Sequence, residues 1–227
     1  MCCSRRGSGA CASTGPDGGQ TAAVNAGFQR LPRTELMAWL NSDDLYLPGA
    51  LHHIGAFFAA NPGVDVVYGH RILIDADDRE IGRWILPPHD PGVLGWADFV
   101  PQETLVWRRR IWDRVGGALD ESFRFAMDWD LILRFLAAGA RFARLPHLLG
   151  CFRVHAEQKT QAQHDIGEAE MMRLRERCHP GAVTWPAINE GIRPYTLRHC
   201  LWQRARWLRD HFRVHETFDP GAPHAVL

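Results

Sequence analysis

Lysine is almost missing from this chain: Lys159 is the single one among 26 basic residues, which face 26 acidic ones. The charges cancel, so nothing in the overall field favours a nucleic-acid partner. No run of about 18 apolar residues occurs, which argues against a membrane-spanning helix. The stretch from Met1 to Gly19 is rich in Cys, Ser and Gly and lacks the apolar core of a secretory signal. Cys2, Cys3 and Cys11 fall in that stretch, while Cys151, Cys178 and Cys200 are scattered. No pair has metal-site spacing, and a chain of 227 residues does not need a disulfide framework. The expectation is a cytoplasmic protein with reduced thiols.

What is present suits one α/β domain with a helical appendage. Hydrophobic residues make up 46% and charged residues 23%, ordinary for a globular chain of this length. Residues 1–16 read as disordered or unrelated to the fold. Gly19 to Phe28 has helical character. Leu36 to Leu40 reads as a buried strand, halted by the turn formers Asn41-Ser42-Asp43-Asp44. A helix is expected from Pro48 to about Ala60. Val64 to Tyr68 reads as a strand, and Arg71 to Ile74 with Glu80 to Ile85 as a hairpin. Pro87 to Gly95 reads as a loop, Thr104 to Trp107 as a strand, and Arg109 to Val115 as a short helix closed by Gly116-Gly117. Asp128 to Ala138 has strong helical spacing. Arg141 to Leu145 and Leu149 to Val154 read as two strands. From about Gln161 the chain is mostly helical. Alternating strands and helices over residues 20–160 predict an α/β sheet, with ligands at the strand ends.

Four carboxylates and a histidine stand out by position: Asp43 and Asp44 after a strand, Asp128 and Asp130 at a helix start, and His155 after another strand. Hard oxygen ligands with an imidazole suit Mn²⁺ or Mg²⁺, ions that often bridge phosphates. Each residue also has a plain structural reading. Asp44 and Asp128 can serve as helix caps, and a lone histidine is more often a surface or hydrogen-bonded one.

Their order and local wording resemble the family 2 glycosyltransferases. The run Ala38-Trp39-Leu40-Asn41-Ser42-Asp43-Asp44 is similar to the family's strand with its DxD-type motif. Asp17-Gly18-Gly19-Gln20 with Asn25-Ala26-Gly27 resembles the segment that precedes it. Pro101-Gln102-Glu103-Thr104 with Trp107-Arg108-Arg109 resembles the acceptor-side region. Phe125-Ala126-Met127-Asp128-Trp129-Asp130 is similar to the ED-type catalytic segment, and Phe152-Arg153-Val154-His155 to the strand-end histidine motif.

The resemblance spans residues 17–160 and implies a GT-A fold with inverting transfer of a sugar from a nucleotide-diphosphate donor. The acceptor would be a saccharide or a lipid-linked one. By that resemblance Asp128 is the general base. Asp17, Gln20, Asn25 and Asp43 contact the donor. Gln102, Trp107 and Asp130 belong to the acceptor side. Asp44 and His155 hold Mn²⁺ or Mg²⁺. The family's opening Val/Ile-rich strand and the base-binding aspartate of its second unit are not found before Glu35. The implied fold is therefore a GT-A fold incomplete at the N-terminus, followed by a helical extension over residues 161–227. That leaves two other readings open: a non-catalytic sugar- or partner-binding remnant, and a metal-dependent hydrolase using the same aspartates.

The extension contains a basic amphipathic helix. Leu197, Leu201, Ala205, Leu208 and Phe212 form a stripe beside Trp202 and Trp207, with Arg198, Arg204, Arg206, Arg209 and Arg213 around it. It can dock on its own domain or lie on an anionic membrane surface, which would place the protein peripherally at the inner membrane face.

Overall fold

The computed structural model describes residues 18–31, 33–154 and 164–216. Its strands are β1 (Leu36–Met37), β2 (Leu45–Tyr46), β3 (Val66–Ile74), β4 (Glu80–Trp84), β5 (Val106–Arg108) and β6 (Phe142–Arg153). They form one mixed sheet in the order β1-β5-β3-β6-β2, and β4 pairs with the far end of β3. The central β3–β6 pair is parallel, while the other described pairs are antiparallel. The helices are α1 (Gln20–Arg30), α2 (Ala50–Ala60), α3 (Pro91–Leu94), α4 (Arg109–Arg114), α5 (Met127–Ala137), α6 (His164–Cys178) and α7 (Trp185–Glu216).

Strand alternation sorts the core onto two faces. Val66, Tyr68, Leu105 and Trp107 join the larger core with Phe28 of α1, Ile111 of α4 and Leu131 and Phe135 of α5. Val67 and Val106 face the other way and pack with Ile54 and Phe58 of α2 and Leu145 and Leu149 of β6. Each such fully buried side chain contributes about 1.5–3 kcal/mol of hydrophobic stabilisation. Leu174 of α6 and Tyr195 of α7 are also members of the larger core.

β3 and β6 are single long strands where the sequence pattern predicts two each. The breakers Gly69 and Pro146 produce a bulge instead of a turn. Tyr68 pairs with Arg144 and His70 with Leu148, so three residues of β6 stand opposite Gly69. A Cβ on Gly69 would sit 2.5 Å from Leu149 Cδ1 and 2.8 Å from the His147 carbonyl. The Gly69 N–H donates to Thr104 Oγ1 at 3.2 Å. Thr104 closes the 3-10 turn Gln102–Thr104, so the bulge fixes that turn against β3.

β1 is shorter than expected, and the unforeseen β2 follows at once. Asp43 and Asp44 therefore lie in a turn that enters β2, rather than directly after a strand. The Pro87–Gly95 segment, expected as loop, contains the single turn of α3, with Asp90 capping it through the Gly92 N–H.

The apolar stripe on α7 points away from the domain. Leu197, Leu201, Trp207 and Leu208 are exposed, and the helix docks through Ile188 and Tyr195 instead. Among the described residues no helix is long and apolar enough to cross a membrane.

Candidate active site

A cavity of about 870 Å³ opens beside the sheet, and Gln20, Asp43, Asp44, Gln102 and Asp128 all line it. Residues more than 80 positions apart in sequence thus share one pocket. Asp98, Glu103 and Arg71 line it too, so five carboxylates surround one arginine. Such an excess of negative charge favours a cation or a ligand rich in donors.

One side of the pocket is the turn before β2, held by a polar network centred on Asn41. Its amide donates to Asp44 Oδ2 at 3.1 Å and to Gln102 Oε1 at 3.1 Å. Its carbonyl accepts from Gln20 Nε2 at 2.8 Å. Gln102 Nε2 in turn donates to the Trp39 carbonyl at 2.9 Å. Arg153, at the end of β6, closes the turn from the other side. Its N–H donates to Asp44 Oδ1 at 3.1 Å and its Nε to the Asp43 carbonyl at 3.0 Å. Burial and the neighbouring Asp43 charge raise the Asp44 pKa, while the bonds from Arg153 and Asn41 oppose the rise.

Asp128 sits in the first turn of α5 and lines the same cavity. The loop before it is anchored by Glu170 of α6, whose carboxylate accepts the N–H groups of Arg124, Phe125 and Ala126 at 2.8, 2.8 and 2.9 Å. Asp98 and Glu103 are the other two carboxylates of the lining. Asp98 is an exposed residue on the cavity lining. Desolvation and the charge of Asp128 push its pKa well above the ordinary carboxylate value. Glu103 is 1% exposed, and burial raises its pKa to about 7 against the pull of Arg71.

Three expected site residues are not at the pocket. Asn25 is buried in α1, where its amide donates to the Leu119 carbonyl and Glu121 Oε1 and its carbonyl accepts from the Leu119 N–H. Those bonds clamp the 119–121 loop to α1. Trp107 is 0% exposed and packs against Phe28, Trp39, Trp112 and Phe135 in the core, so it does not face an acceptor. Asp130 is 0% exposed and paired with Arg134 at 2.8 Å and Arg177 at 2.6 Å, which joins α5 to α6 rather than to a ligand. Asp17 and His155 lie outside the described residues.

Sequence reading missed Asn41, Arg71, Asp98, Glu103 and Glu170. Asn41 and Glu103 stand inside quoted motifs, next to the chosen residues. Arg71, Asp98 and Glu170 carry no local signal, since only the fold brings them to this wall or its support.

No protein-family model matches the chain. It is 30% identical over 151 residues to the O-antigen biosynthesis protein RfbC of Myxococcus xanthus, covering 66% of this chain and 11% of that protein. Among solved structures it is similar to TarS of S. aureus. The fragment 1–349 in complex with UDP-GlcNAc matches with a TM-score of 0.54 and 14% identity, over 81% of this chain and 53% of that one. A second TarS structure gives a TM-score of 0.51 at 15% identity, over 81% and 31%. The chain thus spans about a tenth of the curated relative and about half of the TarS fragment. The likeness to TarS shows the fold: a mixed α/β sheet of the same kind, with a helical C-terminal portion.

Proposed function

We propose that the chain carries the transfer site of an inverting glycosyltransferase of family 2, with a nucleotide-diphosphate sugar as donor and a saccharide or lipid-linked hydroxyl as acceptor. The observation that carries this reading is the convergence of Asp43, Asp44 and Asp128 on one cavity. The UDP-GlcNAc complex of TarS, a structure of the same fold, supports a nucleotide-sugar donor.

Asp128 takes the proton of the acceptor hydroxyl as its oxygen bonds to the anomeric carbon. The bond from that carbon to the diphosphate breaks, and its electron pair leaves with the nucleotide. Attack from the face opposite the leaving group inverts the centre. Glu170 keeps the loop before Asp128 in place, so the base does not reorganise during the step. Gln102 and Gln20 hold Asn41, and Asn41 with Arg153 aims Asp44 at the pocket.

Asp44 fits Mn²⁺ or Mg²⁺. Each of its oxygens accepts a single bond from Asn41 or Arg153 and keeps a lone pair, and the adjacent Asp43 charge calls for a counterion. Such ions are commonly held by one or two carboxylates together with the phosphates of the substrate. His155 is the second protein ligand in this proposal. The ion, when bound, supplies charge neutralisation at the departing diphosphate.

The outward stripe of Leu197, Leu201 and Leu208, beside exposed Arg193 and Arg204, supports peripheral contact with an anionic membrane, where a lipid-linked acceptor would reside. The transfer reading is tested by product analysis with nucleotide sugars, Mn²⁺ and a glycoside acceptor. A new glycosidic product that disappears in Asp128→Asn supports it. Release of free sugar without glycoside would point to hydrolysis instead.

A further inference from the structure

The turn of the β3–β4 hairpin carries Asp75, Asp77 and Asp78, none of which lines the cavity, and it is built to hold its own shape. Asp75 Oδ1 accepts the N–H groups of Asp77 and Arg79, both at 2.9 Å. The Asp75 N–H donates to the Arg79 carbonyl at 2.9 Å, and the Asp78 N–H to the Asp75 carbonyl at 3.3 Å. Asp78 takes the left-handed backbone, with φ 64°, which aspartate adopts more readily than most side chains. This turn grips one guanidinium. Arg153 Nη1 donates to the Asp75 carbonyl at 2.8 Å and to the Ala76 carbonyl at 3.4 Å, and Nη2 donates to Asp78 Oδ1 at 2.5 Å. The same residue holds the turn before β2. Its Nε donates to the Asp43 carbonyl and its backbone N–H to Asp44 Oδ1. One arginine therefore spans both turns.

We propose that Asp78 is a positioning residue for the Asp43–Asp44 turn and that it acts through Arg153. An arginine beside two aspartates at a pocket for a phosphorylated ligand would be expected to face that ligand. Phe152 lines the cavity, and Arg153 does not. The Arg153 side chain is 18% exposed, and Asp78 is the one charged acceptor among the four that its guanidinium meets. The planar fork of donors fixes the angle at which all four are met. The Arg153 backbone is held by the sheet: it pairs with Ile74 of β3, and the next N–H, of Val154, donates to the Ile74 carbonyl at 2.8 Å. The guanidinium is thus the part left to move, and the Asp78 carboxylate fixes it. The charges that chiefly act on Asp44 are those of Asp43 and Arg71, while Arg153 reaches it through the backbone N–H. Without the Asp78 carboxylate, the guanidinium charge is released beside the Asp43–Asp44 turn. Drawn onto those carboxylates, it competes with a cation there and pulls the turn out of place. The consequence for donor binding rests on the transferase reading, and the link between the two turns does not.

Two variants separate the carboxylate from the backbone. Asp78→Gly removes the carboxylate and keeps the left-handed turn, and Asp78→Asn keeps the turn and a neutral acceptor. The full chain in all three forms is read by hydrogen exchange of the segment 41–46. It is also titrated calorimetrically in Mn²⁺ with UDP-, GDP- and dTDP-sugars. Exchange in 41–46 is expected to be about three- to fivefold faster in Asp78→Gly, the range of a largely exposed ion pair, with exchange in α5 as in wild type. Nucleotide-sugar affinity falls by a similar factor, and Asp78→Asn lies between the two. In an Arg153→Gln background, Asp78→Gly changes exchange no further, because the two residues act as one unit. The exchange change in a chain whose wild type binds no nucleotide sugar keeps the link and removes the transferase reading. Exchange in 41–46 equal to wild type overturns the proposal. Faster exchange throughout the chain, α5 included, also overturns it, since that is a loss of stability alone. So does faster exchange in 41–46 with the wild-type nucleotide-sugar affinity intact.

Discussion

Glu170 of α6 holds the backbone of Ala126, two residues before Asp128, through a 2.9 Å bond from its N–H to Oε2. The same carboxylate takes the N–H groups of Arg124 and Phe125, so a helix near the C-terminus shapes the loop that presents the proposed base. Glu170→Ala leaves three backbone donors without this acceptor. The expected result is a stability loss of about 1.5–3 kcal/mol and a kcat about 10- to 100-fold lower, since a base displaced by an ångström is a poor base. Urea denaturation and transfer assays read the two effects, and unchanged values in both would dismiss the link.

Asp130 ties α5 to α6 from a fully buried position, with Arg134 on its own helix and Arg177 on the next. Removing Asp130 leaves two partly exposed arginines without their carboxylate. Asp130→Ala is expected to lose about 1.5–3 kcal/mol in a denaturant titration. A near-neutral variant would instead make Asp130 available for a binding role.

Glu103 makes stability depend on pH. Burial lifts its folded pKa to about 7 from the ordinary 4.5 that it keeps when unfolded. Between those values the folded chain holds a proton that the unfolded chain has released. Stability from this group therefore falls as pH rises from about 4.5 to about 7, by about 3 kcal/mol in all. Unfolding free energies at pH 5 and pH 8 should drop more for wild type than for Glu103→Gln. Parallel curves would mean that the carboxyl is well solvated.

The bulge at Gly69 has no room for a methyl group. Gly69→Ala would press a Cβ to 2.8 Å from the His147 carbonyl, a backbone atom that cannot swing aside. A loss of about 1–3 kcal/mol is expected, and the Thr104 hydroxyl that bonds the Gly69 N–H is displaced with the bulge. A thermal midpoint equal to wild type would show that the strands part easily.

The alternating helices and strands, α2, α5 and the β3–β4 hairpin were legible because their hydrophobic periods are local. The merging of two short apolar runs into β3, and of two more into β6, was not. Gly69 and Pro146 look like breakers in sequence, and only their meeting across the sheet turns them into a bulge. The residues that share the cavity were legible where short motifs carry them, at Asp43, Asp44, Gln102 and Asp128. Trp107 and Asp130 share those motifs but point the other way, because neighbouring positions on a strand or helix face different sides. Arg71, Asp98 and Glu170 were invisible, since each depends on contacts between segments far apart in the chain.

The central claim is that Asp44 and Asp128 serve one bound nucleotide sugar in one pocket. Calorimetric titration of nucleotide sugar in Mn²⁺ against wild type, Asp44→Asn and Asp128→Asn tests it most directly. Wild type and Asp128→Asn are expected to bind, with Asp44→Asn at least about tenfold weaker. Equal binding by Asp44→Asn and wild type, or no binding by wild type, would contradict it.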